Sequence, residues 1–376
     1  MGHTKEIDVR AVLSQRMSAL RLTLANEEAF LNSTNDSKFA PFVDYWREKA
    51  RECLQEFGGK DDDGASPYRR LLRFEQRAQI LCNEAYALRL ARVIRETIDQ
   101  GFCVIADKLL SDLAIAVAFR LPQIATIAES DQFHTLSQVI KIRYPANSIW
   151  DLPVLAHEFA HSFGPHWKTG GYPGFHPMED FLVKGTLGSP AIHEELFCDL
   201  FGVYTLGPAY ACSCVLAHLN PTLSTDTKTH PSHLKRAWWV VRAFEKLGEV
   251  VPDPESQNRF FFFTARLKHF WQSSLAADNC EDVGGEEVQA LSHSIDELFG
   301  VFQAHLALAA YIQPQRAWAL MAALSSNEVV LLSKIRFTLR DVVNAAWLTR
   351  LEYAVNQESL PQELEREFSR LARETV

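Results

Sequence analysis

The residues His157-Glu158-Phe159-Ala160-His161 spell H-E-x-x-H. On a helix, two histidines four apart lie on one side with Cβ atoms roughly 5–6 Å apart, so both imidazoles reach a single metal ion. Glu158, one position along, projects beside that ion rather than onto it. Zinc held by three protein ligands keeps its fourth position for water, whose pKa falls to about 7, and a neighbouring carboxylate takes the proton as the water attacks a carbonyl. Glu158 is the candidate general base. Asp151 as a cap, Pro153 in a first turn and Gly164-Pro165 as a stop predict the helix that carries the motif.

A third ligand is required, and the segment from Ser189 to Gly202 offers one. Ser189-Pro190 reads as a cap followed by a first-turn proline, opening a second helix on which Glu195, Asp199 and Gly202 share a face. Glu195 is the candidate ligand, and Asp199 can accept a hydrogen bond from a ligating histidine's other N–H. Gly202 is expected to let two helices approach closely. Glu194 is the alternative ligand, but only Glu195 has an aspartate one helical turn later. Cys198 reads as a small buried packing residue. A metzincin pattern would need a histidine at position 167, whereas His166 comes one residue early and Trp167 stands in its place.

H-E-x-x-H followed some thirty residues later by E-x-x-x-D resembles the gluzincin superfamily of zinc metallopeptidases. Thr229-His230-Pro231-Ser232-His233-Leu234-Lys235-Arg236 is similar to the T-H-P-x-x-x-x-R segment of the HtpX-like peptidases. The resemblance spans roughly residues 133–244. It implies that His157, His161 and Glu195 hold zinc, that Glu158 is the base, that Asp199 supports a ligating histidine, and that His230 or Arg236 stabilises the oxyanion. The chain departs from that family in lacking its transmembrane helices and in the loop sequence Gly170–Pro177, which with residues 184–190 is expected to wall or cover the site.

These residues must be positioned by a mostly α (α+β) architecture: a helical, zincin-like catalytic core with a small β-sheet, flanked by N- and C-terminal helical regions. Residues 1–130 form the expected N-terminal region, with a linker at about 58–67 where glycines and the run Asp61-Asp62-Asp63 break the helical pattern. Residues 131–250 form the core and 251–376 the C-terminal region. Helical spacing covers residues 10–57 and 68–100, and the weakly charged stretch 201–219 reads as buried helix. Residues 133–144 read as one strand, whose portion from Val139 to Tyr144 is expected to pair edge-on with an extended peptide. The run Phe260-Phe261-Phe262-Phe263 is expected in the core.

With 376 residues, 47% of them hydrophobic, the chain can bury a sizeable core without staples. Its seven cysteines are odd in number and form no C-x-x-C pair, which fits a reducing, cytoplasmic setting. The charge of -9 opposes attraction to nucleic-acid phosphate, and no membrane span is evident. The expected activity is peptide hydrolysis with Zn2+ as cofactor and a protein or peptide as substrate, with a protein regulator as a further class of partner. The alternatives are a catalytically silent zinc-containing regulatory or scaffold protein, and zinc hydrolysis of a non-peptide amide or ester.

Overall fold

A computed structural model describes residues 9–32, 39–58, 67–97, 101–120, 123–128, 132–134, 139–143, 148–169, 176–184, 188–278, 280–326 and 336–376. Among them fourteen α-helices and a three-stranded sheet make the chain mostly α. Two compact units account for the contacts: Met1–Asp99 with Leu121–Ile127 and His134–Lys141, and Gln100–Arg120 with Ala128–Phe133 and Ile142–Val376.

The first unit is built on helices α1 (Val9–Asn32), α2 (Ala40–Gly58) and α3 (Pro67–Thr97). Trp46, Phe74, Leu24 and Leu88 are buried at its centre, and the Trp46 indole donates to the Leu81 carbonyl at 2.8 Å. That bond satisfies the one polar atom of an otherwise apolar side chain. Residues 59–66, the expected linker, lie outside the described residues.

The second unit begins with α4 (Phe102–Ala116); next in sequence come the strands β1 (Ile124–Ala128), β2 (Gln132–His134) and β3 (Val139–Arg143), most of β1 and β3 belonging to the first unit. Residues 133–144 are therefore two strands, not one. The sheet order is β1-β3-β2, so β3 already has a hydrogen-bonded neighbour on each side. Among the described residues β3 is therefore the central strand, not the edge strand that the expected pairing with an extended peptide requires.

Next come α5 (Val154–Phe163), a 3₁₀ turn (Gly164–His166), α6 (Pro177–Lys184) and α7 (Pro190–Leu206). The Asp151 carboxylate does not cap α5. It accepts from the Ser148 amide at 3.3 Å and the Ser148 hydroxyl at 3.0 Å, closing the turn that leads into the helix, and Pro153 takes the capping position. Ser189 does occupy the cap position of α7, with Pro190 in the first turn, but its hydroxyl donates to the Lys228 carbonyl at 3.3 Å. It ties α7 to the loop that precedes α9 (His233–Glu249).

The weakly charged stretch 201–219 is buried and helical through most of its length, but it is broken. Gly207 adopts a positive φ of 58°, and α8 (Pro208–Ser213) restarts behind it, followed by a π turn at Cys214–His218. A positive φ costs glycine nothing and most other residues a great deal. Helices α10 (Pro254–Ala277), α11 (Gly285–His305), α12 (Gln315–Ser325), α13 (Leu339–Val355) and α14 (Gln362–Glu374) complete the unit.

The expected division at residue 250 does not appear in the packing. Helix α10 packs on α9, and α13 packs on α8 as well as on α12, so residues 251–376 share a unit with the site-bearing helices. Asn344 of α13 accepts from the Ala209 amide at 2.8 Å, satisfying a backbone donor at the buried start of α8. Arg340 donates to the carbonyls of Thr205 and Ala309 at 3.0 and 3.1 Å. Of the phenylalanine run, Phe260 and Phe263 are buried while Phe261 and Phe262 are exposed, because α10 turns only one side to the core. No helix among the described residues is long and apolar enough to cross a membrane.

Candidate metal centre

Helices α5 and α7 face one another along a seam of small residues. At about 100° per residue, Ala156 and Ala160 fall between the histidine flank of α5 (157, 161) and its phenylalanine flank (159, 163). On α7, Cys198 falls in the same way between Glu195 and Asp199 on one flank and Phe197 and Phe201 on the other. All three small residues are fully buried.

The phenylalanine flank locks the pair. Phe159 stacks on Phe201 at 5.7 Å between ring centroids, and Phe302 of α11 meets Phe197 and Tyr204 edge-on, each at 5.4 Å. Such contacts add about 0.5–1.5 kcal/mol apiece beyond the area they bury. A rigid aromatic layer thus fixes the relative position of the two helices that carry the polar flank.

On that polar flank, three side chains converge. His161 Nε2 lies 3.2 Å from His157 Nε2, Glu195 Oε2 lies 3.3 Å from His157 Nε2, and Glu195 Oε1 lies 3.5 Å from His161 Nε2. A tetrahedral zinc site with ligands at 2.0–2.1 Å has edges of about 3.3–3.4 Å. The separations are of that order, with the two measured to Glu195 going to its two different oxygens.

The opposite nitrogens of both imidazoles are held by carboxylates. His157 Nδ1 lies 3.0 Å from Asp199 Oδ1, and His161 Nδ1 lies 2.9 Å from Glu194 Oε1. Each Nδ1 donates to its carboxylate, which turns the Nε2 lone pair toward the other. Two lone pairs and a carboxylate at such separations repel one another unless a proton or a metal cation lies between them. The adjacent acids thus divide the work: Glu195 faces the centre and Glu194 orients His161.

Asp199, fully buried, is held by Arg236 through a two-point fork, with Nε donating to Oδ2 at 2.8 Å and Nη2 to Oδ1 at 2.7 Å. The remaining guanidinium nitrogen, Nη1, lies 3.7 Å from Glu195 Oε2. Arg236 is thereby engaged in holding the two acids of α7. His230 stands differently: it is exposed on the loop before α9, with Nε2 3.6 Å from Glu195 Oε1. Thr229 Oγ1, at 2.8 Å from His230 Nδ1, orients the ring, and Ser232 caps α9 by accepting from the Lys235 amide.

The electrostatics follow from this crowding. Burial opposes charge on Glu195, but His157, His161 and Arg236 outweigh it and hold the carboxyl far below the ordinary carboxylate range. Asp199 is likewise held low, burial being overcome by Arg236 and His157. Burial alone would lower the pKa of His157, yet Asp199 and Glu195 raise it above the usual imidazole value. His161 is raised further, with Cys198, Glu194 and Glu195 overcoming burial. A field that retains protons on two buried imidazoles also attracts a metal cation, which competes with those protons.

His157, His161 and Cys198 each offer a ligand atom, all within 4.8 Å of one another. Burial, partly offset by His161, pushes the Cys198 thiol up to about 12, and only the thiolate is a strong ligand. The site therefore contains a buried His/His group with both a carboxylate and a thiol in reach, and it can hold a metal ion. Glu158, on α5 directly after His157, is buried.

Two features were hidden from the sequence. Tyr210 of α8 donates from its hydroxyl to Asp199 Oδ1 at 2.6 Å. Gly202, expected to let helices approach, instead makes room for that tyrosine: a Cβ there would lie 2.6 Å from the Tyr210 ring. The loop expected to wall the site is interrupted by α6, and residues 170–175 and 185–187 lie outside the described residues. No protein family, no curated protein and no solved structure matches the chain.

Proposed function

We propose that this chain is a zinc-dependent metallopeptidase. The observation that carries the reading is the convergence of His157 Nε2, His161 Nε2 and the Glu195 carboxylate at 3.2–3.5 Å, with both imidazoles oriented from behind by acids. When bound, zinc supplies Lewis acidity, lowering the pKa of water to about 7 and polarising a carbonyl.

The chain's own residues supply the rest. Glu158 accepts the proton from the attacking water and passes it to the leaving amine. His230, exposed beside Glu195, donates to the oxygen that gains charge as the carbonyl becomes tetrahedral, and Arg236 keeps Asp199 and Glu195 ionised and in place. An extended protein or peptide is the proposed substrate, and the same groups would serve a non-peptide amide or ester.

The test is metal content by mass spectrometry on the natural chain and on Glu195→Ala, with a proteome-wide cleavage assay run beside Glu158→Gln. One zinc per chain, lost with Glu195, and cleavage abolished by Glu158→Gln with the metal retained are the expected results. Cleavage that survives Glu158→Gln overturns the mechanism.

One observation favours a second reading. Cys198 is close enough to join the histidines, and a closed four-ligand set is the mark of a structural zinc site in a regulatory or scaffold protein. A sulfur-to-cobalt charge-transfer band in the cobalt(II)-substituted protein, absent in Cys198→Ala, would favour it.

A further inference from the structure

Tyr210 enters the centre from an element of its own. Gly207 turns the chain out of α7, Asn344 satisfies the start of α8, and the ring of Tyr210 is set parallel to the His157 imidazole, 6.5 Å between centroids with 6° between planes. Gly202 leaves the space that the ring fills. The side chain is buried, so its hydroxyl must find its partners inside the protein.

It finds two. A phenol has one proton to give, and the shorter contact, 2.6 Å to Asp199 Oδ1, takes it. The oxygen keeps its lone pairs and lies 3.1 Å from His157 Nδ1. The Nδ1–H of His157 therefore sits between two acceptors, Asp199 Oδ1 at 3.0 Å and the tyrosine oxygen. Asp199 Oδ1 in turn takes donors from His157, Tyr210 and the Arg236 Nη2 at 2.7 Å.

We propose that Tyr210 is a positioning residue for the metal centre: through Asp199 it fixes the tautomer and plane of His157, so that Nε2 is aimed at the ion before the ion arrives. Arg236 holds Asp199 by charge. Tyr210 adds a short neutral donor on the same oxygen and a flat surface beside the imidazole, which together remove the freedom of His157 to tilt. The inference rests on the zinc reading above. Loss of an orienting partner of this kind typically weakens metal binding about 10–100-fold.

The experiment is competition for zinc(II) against a chromophoric chelator, with no activity measurement involved. A natural chain that takes up no zinc sinks the metal reading itself. Given one bound equivalent, Tyr210→Phe, which keeps the ring and removes the hydroxyl, is expected to weaken zinc binding about 10–100-fold. In an Asp199→Asn background the same change should have under about a third of that effect, because the hydroxyl acts through the carboxylate.

Affinity unchanged by Tyr210→Phe overturns the inference, as does an equal loss in both backgrounds, which would mean that the hydroxyl does not act through Asp199. Should Tyr210→Phe yield no folded chain, Gly202→Ala takes its place, since the added methyl displaces the ring without removing the hydroxyl. Zinc affinity reduced in that variant supports the inference, and affinity kept refutes it.

Discussion

Replacing Arg236 by alanine isolates the energetics of the centre. Asp199 is fully buried, and its two oxygens take four donors, from His157, Tyr210 and twice from Arg236, the last two at 2.7 and 2.8 Å. Removing one partner of a buried, hydrogen-bonded pair leaves the other charge uncompensated and costs about 3–5 kcal/mol. For a folding unit of this size that corresponds to a fall of about 6–20 °C in Tm. The assay is thermal unfolding followed by circular dichroism near neutral pH, in the presence of a chelator so that no metal compensates. Arg236→Lys retains the charge but cannot form the fork, and should fall between the natural chain and Arg236→Ala. Combining Arg236→Ala with Asp199→Asn should recover part of the loss, since the stranded charge is gone. A Tm for Arg236→Ala within about 2 °C of the natural chain would refute this account of how Asp199 is held.

Phe302→Ala should cost about 3–5 kcal/mol, because a fully buried ring that meets Phe197 and Tyr204 edge-on is lost, and the fall in Tm should appear with and without zinc. The metal-free protein should also respond to pH in a defined direction. The pKa values of His157 and His161 are raised in the folded state, so their stabilising contribution is complete below the ordinary imidazole value of about 6.5 and is lost as pH rises through the folded values. Those of Glu195 and Asp199 are depressed, so their contribution is present above the ordinary carboxylate value of about 4 and is lost only as pH falls toward the folded values. Scanning calorimetry of chelated protein should therefore show Tm falling as pH rises above about 6.5, and a flat or rising Tm there would contradict the assignment.

The sequence discloses what is periodic or local. His157, His161, Glu195 and Asp199 are each paired with a residue four positions away on the same helix, so their shared faces follow from helical geometry alone. The work of Glu194 depends on how far α5 is offset along α7, which no spacing within one helix reveals. Tyr210 comes from a third element, beyond the break at Gly207, and nothing in its own neighbourhood connects it with His157. The same limit explains Arg236. A basic residue one turn into a helix reads equally well as an oxyanion donor, and only the position of α9 against α7 shows its fork closed on Asp199. In the sheet, alternation carried across residues 135–138 hid the division between β2 and β3 and, with it, the central place of β3.

The link from Asn344 to the start of α8 gives the centre a history as well as a geometry. During synthesis the two histidines are made first, Glu195 and Asp199 later, Arg236 later again, and the residue that satisfies the Tyr210-bearing helix only when α13 is complete. A nascent or truncated chain that ends before α13 carries His157, His161, Glu195 and Cys198 yet lacks the residue that satisfies the start of α8.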